Sequence, residues 1–196
     1  MKHLFLFLAM ICVGVGHTNA QTTAWDTDKA HSSITFSVPH MVISEVVGRF
    51  DDFSVSVRSD KDDFADAAID VSINTASVNT DNEKRDQHLR SDDFFNAEKY
   101  PTIRFVSKKI GKSGDNTYAI TGDLTIRDVT KTVTLDGKLG GTITDQRGNR
   151  RAGFKISGSL NRFDYGLKWN AAVETGGLVV GETVSFTAHL ELIRKK

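Results

Sequence analysis

Strand-like alternation, repeated along nearly the whole chain, limits what this sequence can fold into more than any other feature. Ile34, Phe36 and Val38 alternate with Thr35 and Ser37, and Phe53, Val55 and Val57 with Ser54 and Ser56. Ile69, Val71 and Ile73 oppose Asp70, Ser72 and Asn74, and Ile103 and Phe105 begin another run. Tyr118, Ile120, Gly122, Leu124 and Ile126 share a face, as do Val133 and Leu135, then Phe154, Ile156, Gly158 and Leu160. Val184, Phe186, Ala188, Leu190 and Leu192 close the series. Each run has the two-residue period of a strand buried on one side and wet on the other. Eight such strands joined mostly by short turns imply antiparallel pairing, since no βαβ series is present. A sheet with one apolar face hides it by closing on itself, which also removes its unpaired edges.

The expected fold is therefore all-β: an eight-stranded antiparallel barrel with short helices covering one end. A barrel of that size either fills with side chains or holds one small ligand. The small inward residues Gly122, Gly158 and Ala188 favour a cavity. The competing reading is that the glycines relieve twist or mark bulges. Pro39 is expected to end the first strand, with a short turn or helix over Pro39–Ser44, and Gly140–Asn149 to form a loose tip.

One segment breaks the strand pattern. Thr80 followed by Glu83 reads as a capping box, which starts a helix with Asp86 and Arg90 one turn apart. Ser91 reads as a second N-cap with Asp92 and Asp93 in its first turn, and Pro101 stops the segment. Leu89, Phe94 and Phe95 are too large for such short helices to bury alone, so the segment is expected to act as a lid on the barrel.

The first twenty residues read as a signal peptide: Lys2, the apolar run Leu4–Val15, and Thr18-Asn19-Ala20 before the expected cleavage site. Residues 21–196 then form a single domain, expected in the periplasm, with secretion as the other outcome of export. The apolar run is too short to span a bilayer, so no stable membrane insertion is expected. Cys12, the only cysteine, lies within the signal, so the fold does not depend on disulfides. Met10-Ile11 ahead of Cys12 is a poor lipidation signal because it lacks a small residue there. Without Lys2, 24 basic side chains stand against 25 acidic ones, which gives no reason to expect a nucleic-acid partner. Whether the barrel pairs with a second copy of itself as a homodimer is left open by the sequence.

His31, His40, His88 and His189 lie on four separate elements without a metal-binding spacing, so no metal is expected. There is no GxSxG, no phosphate-binding loop and no cysteine nucleophile after residue 20. The enzymatic alternative is a barrel enzyme acting on a lipid with His31 or His88 beside an acid. It requires a hydrogen-bonded histidine–carboxylate pair opening onto the cavity.

Five blocks, WDTDKAHSSITFSVPHM, GRFDDFSVSV, RDQHLRSDDFFNAEKYPTIRF, GDLTIRDVTKTVTL and NRFDYG, resemble in order the YceI-like family of bacterial polyisoprenoid-binding proteins. The resemblance covers essentially all of the chain from Trp25 onward and is most specific over Arg85–Phe105. It implies a lipocalin-like barrel enclosing a long isoprenoid chain, such as a quinone tail or prenyl phosphate, with no cofactor beyond that lipid. Asp128 departs from the pattern where the family usually has glycine, which questions the turn geometry there. On this reading Ile34, Phe36, Val38, Ile69, Val71, Ile103, Phe105, Leu124, Phe154 and Phe186 line the tunnel, and Phe94, Phe95 and Trp169 cover its mouths. Each taken alone could equally be ordinary core; only the set is informative. His40, Arg85, His88 and Arg162 are candidate head-group contacts. At about 0.3 kcal/mol per heavy atom, a five-carbon unit contributes roughly 1.5 kcal/mol. Five or six buried units then reach micromolar affinity, near 8 kcal/mol. Storage or transport of such a lipid needs no catalytic machinery.

Overall fold

The computed structural model describes residues 23–171 and 178–195. The expected signal peptide lies outside the described residues. Eleven strands form one antiparallel sheet: β1 (Ala24–Thr27), β2 (Ser33–His40), β3 (Ser44–Phe50), β4 (Phe53–Arg58), β5 (Ala68–Asn74), β6 (Val78–Asn79), β7 (Thr102–Gly114), β8 (Thr117–Ile126), β9 (Val129–Thr144), β10 (Arg150–Asn161) and β11 (Thr183–Arg194). Pairing of β1 with both β4 and β11 closes a ring of eight, in the order β1-β4-β5-β7-β8-β9-β10-β11. β2 and β3 continue β1 and β4 beyond short breaks, and β2 pairs with the first half of β11. Neighbours around the wall are thus neighbours in sequence, as short turns between alternating runs require.

Two expected ends move. Pro39 does not stop the first strand; it lies within β2 opposite Glu45, and its carbonyl accepts from Gly181 N–H at 2.8 Å. Of the short turn or helix expected over Pro39–Ser44, a tight turn forms, in which Ile43 N–H donates to the His40 carbonyl. Met41 (φ 51°) and Val42 (φ 66°) both take the left-handed conformation that such a turn demands. For a β-branched residue like Val42 that strain is of order 1–3 kcal/mol. The loose tip at Gly140–Asn149 is also shorter than expected. β9 runs to Thr144 through a bulge at Gly141, and the turn is fastened by the Asp145 carboxylate, which accepts from the Arg147 and Asn149 backbone N–H groups.

The turn at Arg127-Asp128 answers the question raised by the missing glycine. Arg127, not Asp128, takes the left-handed conformation (φ 56°), so Asp128 carries no strain. Its carboxylate instead accepts from the Tyr100 hydroxyl at 3.1 Å.

The lid segment contains one α-helix, α1 (Glu83–Arg90), not two. Its N-cap is Asn82, whose side chain accepts from Arg85 N–H, so the Thr80–Glu83 capping box is not formed. Thr80 is engaged elsewhere: its N–H and hydroxyl both donate to Asp86 Oδ1. That contact replaces the expected Asp86–Arg90 pair. Arg90 reaches back to the carbonyls of Ala76 and Val78. Ser91 caps the C-terminus of α1, its hydroxyl donating to the His88 carbonyl, and residues 92–95 form turns rather than a second helix.

Candidate functional site

The inward rows of the closed wall surround a cavity of about 240 Å³. That exceeds the roughly 150 Å³ apolar cavity able to hold benzene. Of the expected lining residues, Ile34, Phe36, Val38, Ile69, Val71, Ile103, Phe105, Leu124, Phe154 and Phe186 all border it, as do Phe94 and Phe95. Period-two alternation puts them there: one face of every strand is apolar, and closure turns those faces toward each other. The polar groups at the border are few: Thr35, Tyr118, Tyr165 and Arg162.

The glycines expected to create space do something else. A Cβ at Gly158 would lie 2.9 Å from both the Phe186 ring and Leu135, and one at Gly122 would lie 2.5 Å from the Phe105 ring. The missing side chains are thus replaced by aromatic rings. Gly122 also pairs with Ser107 beside a register shift in β7, in keeping with the bulge reading.

Aromatic side chains gather at both ends of the barrel. At one end Phe64, with φ 54°, turns inward from the β4–β5 loop and packs on Trp25 (5.0 Å between centroids) and Phe154 (4.9 Å). At the other, Leu89, Phe94 and Phe95 border the cavity, and Phe95 meets Phe50 edge-on at 5.9 Å. Trp169 does not reach the cavity; it stands behind Phe94 at 5.4 Å and against His88 at 4.8 Å. Sequence reasoning missed the residue that ties this lid down. Arg127, in the β8–β9 turn, donates to the Phe94 carbonyl (3.1 Å), the Asp92 and Gly166 carbonyls, and the Asp92 carboxylate (3.1 Å). A lone arginine in a hairpin gives no signal in sequence that it reaches a segment some thirty-five residues away. Phe64 was equally hidden, inside a charged turn.

The candidate head-group residues separate. His40, Arg85 and His88 lie outside the cavity border, and Arg162 lies on it. Arg85 does not pair with Asp86; it donates to the Thr80 hydroxyl (2.7 Å) and carbonyl (2.9 Å). Arg162 is buried and donates to the carbonyls of Leu167, Trp169, Val180 and Gly181, stitching together the segment before β11. Burial lowers its pKa from the ordinary arginine value. The Tyr165 hydroxyl is buried without a hydrogen-bond partner among the described residues, and burial raises its pKa.

Histidine–carboxylate pairs exist, but on the outside. His31 Nδ1 lies 3.1 Å from Asp28 and His88 Nε2 lies 2.8 Å from Asp93, and neither histidine borders the cavity. Asp28, His31 and Glu191 come close enough to suggest a metal site. However, the Arg151 guanidinium sits between the two carboxylates, at 2.7 Å from Asp28 and 2.5 Å from Glu191. It also holds Asp145 at 2.8 Å. A cation would have to displace that arginine, so the cluster fits an ion-pair network and not a metal centre.

A closed antiparallel barrel with a lidded apolar interior defines a lipocalin-like fold. The model for the YceI-like domain matches residues 25–192, and the chain belongs to that family. A UPF0312 protein of Staphylococcus aureus is 38% identical over 170 residues, covering 86% of this chain and 96% of that protein. Among solved structures, BcnA of Burkholderia cenocepacia superposes with a TM-score of 0.74 at 25% identity, covering 85% of this chain and 99% of BcnA. The YceI protein of Campylobacter jejuni gives 0.70 at 35% identity, covering 86% and 96%. A domain from Saccharophagus degradans described as polyisoprenoid-binding shares the fold, with a TM-score of 0.68 at 18% identity over 88% of this chain and 99% of that one. Among the described residues no helix is long and apolar enough to cross a membrane.

Proposed function

We propose that this protein binds a long-chain polyisoprenoid lipid, of the quinone or prenyl-phosphate type, and stores or transports it without chemical change. The observation that carries this is the apolar cavity itself, bordered by aliphatic and aromatic side chains, with aromatic residues gathered at both ends. A branched hydrocarbon chain gains free energy from such a lining and needs few polar anchors. Membership of the YceI-like family supports the binding role, and the fold shared with a polyisoprenoid-binding domain is in keeping with it. A catalytic role draws no support from the histidine–acid pairs, which lie away from the cavity. With residues 1–20 acting as a signal peptide, the setting is the periplasm.

The test is to extract the purified protein with organic solvent and identify the lipid by mass spectrometry. The expected result is about one isoprenoid chain per protein. Protein that comes away empty, and stays empty after incubation with polyprenyl lipids, contradicts the proposal.

A further inference from the structure

The turn between β2 and β3 carries a cost that neither folding nor solubility explains. Met41, Val42 and Ile43 stand consecutively in solvent, with Val42 74% and Ile43 87% exposed, and Val47, further along β3 opposite Ser37, is 60% exposed. Asparagine and glycine suit the two left-handed positions of such a turn, yet methionine and valine occupy them. Two penalties, exposed apolar surface and backbone strain, fall on the same residues. Strain kept at one place points to a role there.

The position of the turn narrows that role. Met41 N–H donates to the Val179 carbonyl (2.9 Å), and Gly181 N–H donates to the Pro39 carbonyl (2.8 Å). Val38 and Val180, the neighbours of these groups, border the cavity. The apolar tip is therefore built on the same backbone as the lidded end of the barrel. Residues 38–44 contain no lysine, arginine or carboxylate, and the first charged residue after the turn, Glu45, is acidic.

The geometry points to the β2–β3 turn as a membrane-docking tip, which inserts Met41, Val42 and Ile43 into the hydrocarbon edge of a lipid bilayer and brings the lidded end of the cavity against it. This rests on the isoprenoid-carrier reading, because a cargo that resides in bilayer hydrocarbon must pass between membrane and barrel without crossing water. A protruding apolar turn suits a fluid lipid interface, whereas a protein partner would need a matching pocket. With no lysine or arginine in the turn, and His40 as its one titratable residue, attraction is chiefly hydrophobic, so it persists at high ionic strength and does not need anionic lipid.

Flotation of the full purified protein with vesicles tests this. Two compositions are used: phosphatidylcholine alone, and phosphatidylethanolamine with phosphatidylglycerol. The protein is expected to float with both, at low and high salt. Ile43→Asp and Val42→Asn are each expected to float at least about tenfold less. Val42→Asn also relieves the backbone strain, so its melting temperature should be no lower than that of the unaltered protein, which separates lost docking from lost folding. Equal flotation of protein and variants, no flotation at all, or flotation confined to anionic vesicles and abolished by salt would each overturn the docking role. So would a dimer that Ile43→Asp converts to monomers, since a second copy would then be what covers the tip. Failure of the carrier reading shows separately, as protein that floats through its tip but yields no isoprenoid on extraction.

Discussion

The Asp86 carboxylate of α1 holds both polar hydrogens of Thr80, the backbone N–H at 2.9 Å and the hydroxyl at 2.6 Å, with both residues buried. Arg85 donates to the same Thr80 hydroxyl from the other side. One threonine thereby fixes the helix that carries Leu89, a residue of the cavity border, to the chain just after β6.

Removing that carboxylate leaves the Thr80 N–H buried and unpaired. Asp86→Ala is expected to lower stability by about 2–4 kcal/mol, by analogy with other hydrogen bonds to charged groups. Chemical denaturation measures the loss. Asp86→Asn keeps an acceptor and should lose less. Because the lid is loosened, exchange of bound lipid should also quicken in both variants.

Acid stability turns on Arg151. Its guanidinium holds Asp145 well below the usual carboxylate range, and it is also the first cause lowering Asp28. Groups with depressed folded pKa values stabilise the protein above their unfolded value of about 3.8, and that stability is lost as pH falls through the lower folded values. Denaturation midpoints should therefore hold steady from pH 7 to about pH 5 and then fall with acidification. Arg151→Met should be less stable at neutral pH yet show a flatter decline in acid, because the carboxylates then titrate closer to their unfolded values, held down only by their remaining hydrogen bonds.

The barrel and its lining were legible in the sequence because alternation is a local signal that closure converts directly into an inside and an outside. Ile34, Phe36 and Val38 point inward for the same reason that Thr35 and Ser37 alternate with them. Residues whose role depends on distant partners were not legible. Asp86 looked like half of a helical ion pair, but its partner Thr80 lies before the helix. Trp169 looked like a lid for the cavity, but the turn bearing Phe94 comes between. Phe64 gave no sign that a charged loop would fold its one large apolar residue into the barrel end.

Position 188 offers a direct way to fill the hollow. Ala188 borders the cavity on β11, paired with Ile34 and Ile156. Ala188→Phe should keep the fold, at an overpacking cost of about 1–3 kcal/mol or less where the cavity takes up the ring. It should also displace lipid. The expected readout is at least about a tenfold fall in extracted isoprenoid, for the loss of one bound unit or more.

Gly122 tests the opposite case, a place where no room exists. A Cβ there would collide with the Val106 carbonyl oxygen, which is backbone and cannot swing aside. Gly122→Ala should destabilise by about 1–3 kcal/mol, seen as a lower denaturation midpoint.

Titration of delipidated protein with isoprenoid quinones of increasing tail length tests the central claim most directly. If the cavity binds the hydrocarbon chain, affinity should rise about tenfold with each added isoprene unit until the hollow is full, then level off. Affinity independent of tail length, or no binding at any length, would contradict the account.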